Sequence, residues 1–201
     1  MTSSALPTTT VSAEDFAEVA AGMRQAWPVS DSALAQLRAC LAPCRFRKRH
    51  LLIREGAALG KAYFLNRGMT RSYWIVDGQE VTTSFSTEGG LVFSMDELYY
   101  GLASQEYVET VEPVEAFAIT VDDLRRLTCG NLELTNWMRV IHQNEYRRIH
   151  RSHKEQLTLP ARERYEAFAA QFPSVCRRAR LTDIASYLGI TSSTLSRIRA
   201  R

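Results

Sequence analysis

The chain has 201 residues, is 45% hydrophobic and 23% charged, and carries a formal net charge of +3. That composition suits one ordinary domain plus a small second one, and it excludes collagen-like, low-complexity and wholly disordered chains. No stretch reaches the ~18 consecutive apolar residues of a membrane span, and Met1–Pro7 lacks the basic start and apolar core of a secretory signal, so a cytoplasmic protein is expected.

Residues 1–12 are Ser/Thr-rich and predict disorder. A helix then starts near Ser12, with Glu14 and Asp15 in its first turn and Phe16, Val19, Ala20 and Met23 at helical spacing, and it ends at Pro28. Ser30 or Asp31 caps a second helix carrying Leu34, Leu37 and Leu41, which stops before Pro43. Together these form an N-terminal extension over 1–29 and the start of a domain over 30–130.

From Arg45 to Thr120 short runs rich in Tyr, Phe, Val, Ile and Thr alternate with glycines. The predicted strands are 50–54, 62–66, 69–76, 80–86, 91–94, 107–112 and 114–120, with a short helix over 96–102. Asp77-Gly78 between two such runs predicts a hairpin, because a type I′ turn needs positive φ at both central residues. Strands this short and this regularly spaced predict an antiparallel β-roll of jelly-roll type.

Beyond Thr120 the chain reads as helix: 121–127, then a long helix from Asn131 to about Glu155, then 161–172 between Pro160 and Pro173. The long helix would extend ~37 Å at 1.5 Å per residue. Its stripe of Leu134, Trp137, Met138 and Ile141, and later Ile149, resembles a coiled-coil seam, and pairing with a second copy is expected; packing on the chain's own β-domain is the alternative. His142, His150 and His153 lie on this helix without a convincing carboxylate–histidine pattern, and Cys40, Cys44, Cys129 and Cys176 form no Cys-x-x-Cys pair. No metal and no cofactor is expected.

Charge is divided unevenly. Residues 1–138 hold 12 Lys+Arg against 17 Asp+Glu, a net of −5, whereas residues 139–201 hold 13 against 5, a net of +8. A C-terminal region this basic favours an anionic partner, nucleic acid above all. Within it, Leu181–Arg199 carries a helix-turn-helix pattern. Counting from Leu181, alanine falls fifth, glycine ninth, and apolar residues fifteenth and eighteenth. Thr182 is expected to cap the first helix, Gly189 to make a left-handed turn, Ile190 to plug the angle, and Thr191 to cap a second helix with Leu195 and Ile198 inside. Ser192, Ser193, Ser196 and Arg197 then face outward for base edges, with Arg197 suited to guanine, while Thr191, Thr194, Arg199 and Arg201 suit phosphates. Arg177, Arg178 and Arg180 add electrostatic grip.

The order of parts resembles the Crp/Fnr family of bacterial transcription regulators, from about residue 30 to the C-terminus. Phe46–Gly56 is similar to the family's opening strands ending in a Glu-Gly turn; Ala62–Gly68 to its aromatic–aromatic–Leu–x–x–Gly strand; and Leu188–Ile198, the most specific match, to its helix-turn-helix. The resemblance implies an α+β protein. A β-roll sensor over 30–130 would lead into a dimerisation helix over 131–156 and a DNA-binding domain over 157–201. The protein would be a homodimer on a two-fold symmetric duplex site, with RNA polymerase a candidate partner and a small-molecule effector in the β-roll. The effector pocket would lie at Met95, Asp96, Glu97, Leu98, Tyr107 and Val108.

Two features depart from the family pattern. In the phosphate cassette Asp96 replaces glycine and Tyr107 stands at the arginine position, and Asp96, Glu106 and Glu109 would repel a cyclic phosphate, so an effector other than cyclic AMP is expected. The chain also stops at Arg201, at the end of the second helix, as in a short wingless branch or a truncated one. Two other readings compete. A cupin-type metal enzyme would need histidines on the strands, where only His50 falls; an effector-binding adaptor would use the helix-turn-helix to contact protein.

Overall fold

The computed structural model of the chain describes residues 11–200 and separates them into two compact units. The first holds the residues through Thr70 together with Ser86–His142; the second holds Arg71–Phe85 and the residues from Gln143 onward. Residues 71–85 thus group with the C-terminal helices, which differs from the contiguous division at 130 and 156 expected from the sequence. The predicted disorder over 1–12 falls mostly outside the described residues.

In the first unit α1 (Ala17–Ala26) and α2 (Asp31–Arg38) precede the strands β1 (Ala42–Phe46), β2 (Leu51–Ile53) and β3 (Lys61–Arg67). The N-terminal helix begins five residues later than Ser12, whose hydroxyl caps the preceding turn by accepting the Asp15 N–H at 3.0 Å. Ser30 caps α2, accepting the Ala33 N–H. Sequence reading ran the second helix to Pro43 and missed β1. Pro43 sits inside that strand, opposite Phe117, and is tolerated because β1 is the edge of its sheet, where a missing N–H leaves no ladder bond unmade.

The sheet has the order β1-β8-β3-β6, completed by β6 (Leu91–Val92) and β8 (Val114–Thr120). β2 pairs antiparallel with β7 (Tyr107–Thr110). The expected strands are all present, with several ends shifted by one or two residues. β3 and β8 bury both faces. Ala62, Phe64, Phe117 and Ile119 join one hydrophobic cluster, and Tyr63, Leu65, Ala116 and Ala118 join another with Leu52, Ile53 and Val108. That double burial explains their near-continuous apolar runs. After β3 the chain turns at Gly68, whose φ of 103° suits glycine and where a Cβ would meet the Pro113 oxygen at 2.5 Å.

Four helices cover the first cluster: α1, α2, α3 (Val121–Gly130) and the start of α4 (Leu132–Thr158). Thr120 caps α3 through the Asp123 N–H, and Asn131 caps α4 through the N–H groups of Glu133 and Leu134. The stripe read as a dimer seam is used here instead. Leu134, Trp137 and Met138 are 2%, 3% and 6% exposed, Ile141 packs beside them, and Trp137 stacks on Phe64 with centroids 5.9 Å apart. The correction has a simple cause: period alone locates a helix's apolar face but does not say which surface covers it.

The second unit contains β4 from Arg71 onward (the strand is Thr70–Val76) and β5 (Gln79–Ser86) as far as Phe85. These adjacent strands are joined by Asp77 and Gly78, both at positive φ as a type I′ turn requires. It also contains the second half of α4, then α5 (Ala161–Gln171), α6 (Pro173–Arg178), α7 (Leu181–Tyr187) and α8 (Ser192–Arg199). Sequence reading missed α6. Pro173 ends α5, but it also opens α6 at its first position, where a missing N–H costs nothing.

Candidate nucleic-acid interface and effector cassette

α7 and α8 meet at a tight turn. Gly189 adopts φ 65°, its N–H donates to the Ser186 oxygen at 3.1 Å, and the Ile190 N–H reaches back to the Ala185 oxygen at 3.0 Å. Small Ala185 is buried beside Ile184, and Leu195 of α8 is fully buried. The expected cap at Thr182 is not made: α7 starts at Leu181, so the cap position falls two residues earlier, on Arg180, with no side-chain cap. Thr191 does cap α8, accepting the Thr194 N–H at 3.2 Å.

The outward side of α8 carries Ser193, Ser196, Arg197 and Arg199, all exposed, with Ser192 and Thr194 half-buried. Thr191 Oγ1 lies 2.9 Å from Thr194 Oγ1 and 3.0 Å from Ser193 Oγ, so these three hydroxyls form one polar cluster at the helix N-terminus. The Arg197 guanidinium folds back along α8, donating to the Ser193 oxygen and to Thr194 Oγ1, each at 3.4 Å. Bonds that long and that exposed are readily exchanged for others. Arg201 lies outside the described residues.

Behind this surface, Tyr187 sits in an aromatic group with Phe85, Phe168 and Phe172, centroids 5.1–6.3 Å apart. From α4, Arg148 donates to the Tyr187 hydroxyl at 2.9 Å and Gln156 to its carbonyl at 3.2 Å. Asp183, in the first turn of α7, is buried and ion-paired with Arg71 at 3.3 Å and Arg180 at 2.9 Å. Arg71 lies 112 residues away, so no local pattern could disclose the pair.

In the first unit the six cassette residues are split between structural duties. Asp96, Glu97 and Leu98 form a single π-helical turn with Tyr99 and Tyr100, closed by Gly101 at φ 67°. Leu98 is buried in the first apolar cluster and Val108 in the second. Asp96 accepts the Gln105 N–H at 3.3 Å, and the Glu97 carboxylate accepts the Gly60 N–H. Arg125 from α3 donates to the Leu98 carbonyl at 2.9 Å and to that of Glu97 at 3.3 Å. Met95 is half-exposed and Tyr107 half-buried. Tyr99 reaches His142 Nε2 at 3.2 Å, and His142 Nδ1 lies close to the Met138 oxygen. The turn is therefore braced by side chains of this chain at the positions where the resemblance expects a phosphate cassette.

Residues 43–129 match the cyclic nucleotide-binding domain family. The match covers the β-roll and α3. The chain is also similar in fold to FixK2 from Bradyrhizobium japonicum, at 19% identity with a TM-score of 0.69, covering 80% of this chain and 83% of that one. It is similar to CLP, the c-di-GMP responsive global regulator of Xanthomonas campestris, at 14% identity and a TM-score of 0.71, covering 85% and 90%. A transcriptional regulator of the crp/fnr family from Eubacterium rectale gives 12% and 0.68, covering 87% and 85%. No curated protein matches the chain by sequence. Residues 43–129 are thus similar to a cyclic nucleotide-binding domain, and the likeness to these solved structures is one of fold. Among the described residues no helix is long and apolar enough to cross a membrane.

Proposed function

We propose that the chain is a sequence-specific DNA-binding transcription regulator of Crp/Fnr type, acting as a dimer in the cytoplasm. The observation that carries this is α8: a Thr191-capped helix after a left-handed glycine turn, presenting Ser193, Ser196, Arg197 and Arg199 to solvent in a C-terminal region of net charge +8. In this reading the N-terminal half of α8 enters the major groove and Arg197 reads guanine. The hydroxyl cluster and Arg199 hold phosphates, and Arg201 extends that contact.

The dimer seam is reassigned to the part of α4 not used by the core. Tyr146, Ile149 and Leu157 are 72%, 54% and 72% exposed, and together with His153 they recur at spacings of three and four on one face. Paired against a second copy, that face would bury apolar surface that is otherwise wet. The β-roll serves as the sensor, with an effector other than cyclic AMP, since Glu97 and Asp96 are committed to backbone amides and acidic groups crowd the cassette. RNA polymerase is the expected downstream partner.

The experiment is selection of bound sequences from a random duplex pool at near-physiological salt. A recovered palindrome with half-sites one helical turn apart, ~34–36 Å, supports the dimeric regulator. Recovery of no consensus, with binding abolished by moderate salt, overturns sequence-specific recognition.

A further inference from the structure

Arg71 is the largest fully buried side chain among the described residues, and its surroundings bear on how the recognition helix is held. Its side chain is 2% exposed. One guanidinium nitrogen donates to Thr82 Oγ1 and to Asp183 Oδ1, each at 3.3 Å; the other meets the Glu80 carboxylate, and the group lies 4.3 Å over the Tyr73 ring. Asp183, 4% exposed in its side chain, spends its second oxygen on Arg180 at 2.9 Å.

A second tie runs parallel. Ser186 of α7 donates to the Glu80 carbonyl and accepts the Thr82 N–H, both at 2.9 Å. Phe85 adds a third through Phe168 and Tyr187. Trp74, Ile75, Val76 and Val81 of the hairpin lie open to solvent, and within the second unit it is tied to α7 through Arg71–Asp183 and Ser186. The chain passes between the two units at 70/71, 85/86 and 142/143, and two of those three passages are the ends of this hairpin.

We propose that Arg71 is a positioning residue for the α7–α8 pair: through the buried Arg71–Asp183 contact the β4–β5 hairpin is a rigid part of the DNA-binding unit and carries displacements of Thr70 and Ser86 to the recognition helix. The proposal rests on the DNA-binding reading for its functional consequence, but the clamp itself is testable without DNA. Buried charge pairs suit this task. They tolerate replacement of both partners by apolar groups, whereas loss of one partner leaves the other charge uncompensated.

The test compares the full chain with Arg71→Met and with Arg71→Met/Asp183→Leu, by amide hydrogen exchange and by binding to the selected duplex. Arg71→Met is expected to speed exchange about tenfold or more in both 79–85 and 181–187, with the β1, β3 and β8 amides unchanged. It should weaken duplex binding about tenfold while keeping the slope of affinity against salt, because phosphate contacts survive as orientation is lost. The double variant should recover both, which a chain merely failing to fold would not do. Exchange that quickens in 79–85 but not in 181–187 overturns the clamp. An intact exchange result with unchanged duplex affinity overturns the positioning role. If the unaltered chain binds no duplex, the DNA-binding reading fails, and the exchange result still decides the clamp.

Discussion

Arg197 is held only by two long, exposed hydrogen bonds to its own helix, so freeing it for a base costs little. Arg197→Ala is therefore expected to lower binding to the selected duplex by ~1–3 kcal/mol and to flatten the preference for that duplex over a scrambled one. Equal loss on both duplexes would reduce Arg197 to a phosphate contact. Sedimentation of the variant should match that of the unaltered chain. The cysteines give a second residue-scale expectation. Burial pushes the Cys44 thiol up to about 11, and its sulfur donates to the Ala116 carbonyl, whereas Cys129 is exposed. At pH 8 a thiol reagent should label Cys129 in the native protein and reach Cys44 only on unfolding, since the thiolate is the reactive form. Prompt labelling of both would contradict the burial.

Among the elements, α4 separates two kinds of apolar residue that its sequence does not distinguish. Trp137→Asp would place a charge in the first apolar cluster and is expected to destabilise the first unit by ~3–5 kcal/mol, read as a fall in its thermal midpoint. Ile149→Asp touches no core. It should leave that midpoint unchanged and shift sedimentation from dimer towards monomer; a variant that stays dimeric would remove Ile149 from the seam. The strands were legible because β3 and β8 bury both faces and therefore read as dense apolar runs, and the Asp77-Gly78 hairpin because its turn demands those residues. β1 and α6 were not, because each contains a proline whose tolerated position, on a sheet edge or at a helix start, depends on the neighbouring structure. At the candidate interface the Gly189 turn and the Thr191 cap were legible from spacing. Asp183 was not, since its partner lies on a distant strand.

Across the molecule, ionisation limits the pH range of the first unit from both sides. The Arg126 guanidinium and the Thr120 hydroxyl hold the Asp123 carboxyl below the usual carboxylate range, and the Ser30 N–H does the same for Glu133. Carboxyls depressed by folding contribute stability that is present above their ordinary values and lost as pH falls through the lowered ones. At the other end burial raises Cys44 to about 11 and Tyr63 to about 12. Their contribution is complete below the ordinary values and disappears as pH rises through the raised ones. Denaturant midpoints should therefore be flat near neutrality, fall below pH ~4, and fall again from pH ~9 upward. A midpoint unchanged between pH 9 and 11 would contradict the alkaline limb.

The span between Arg71 and Asp183 also orders events during synthesis. The hairpin leaves the ribosome early, but the helix that covers its charged face follows 112 residues later. At ~5–20 residues per second the nascent chain carries Arg71 and the apolar strands around it, still uncovered, for roughly 6–20 s. The first unit also remains incomplete until His142 has been made. A fragment begun at Gln143 would contain α7 and α8 yet lack Arg71, leaving the Asp183 carboxylate without its strand partner. Production of the DNA-binding unit by itself therefore calls for residues 71–85 to be supplied in trans or grafted onto the same chain.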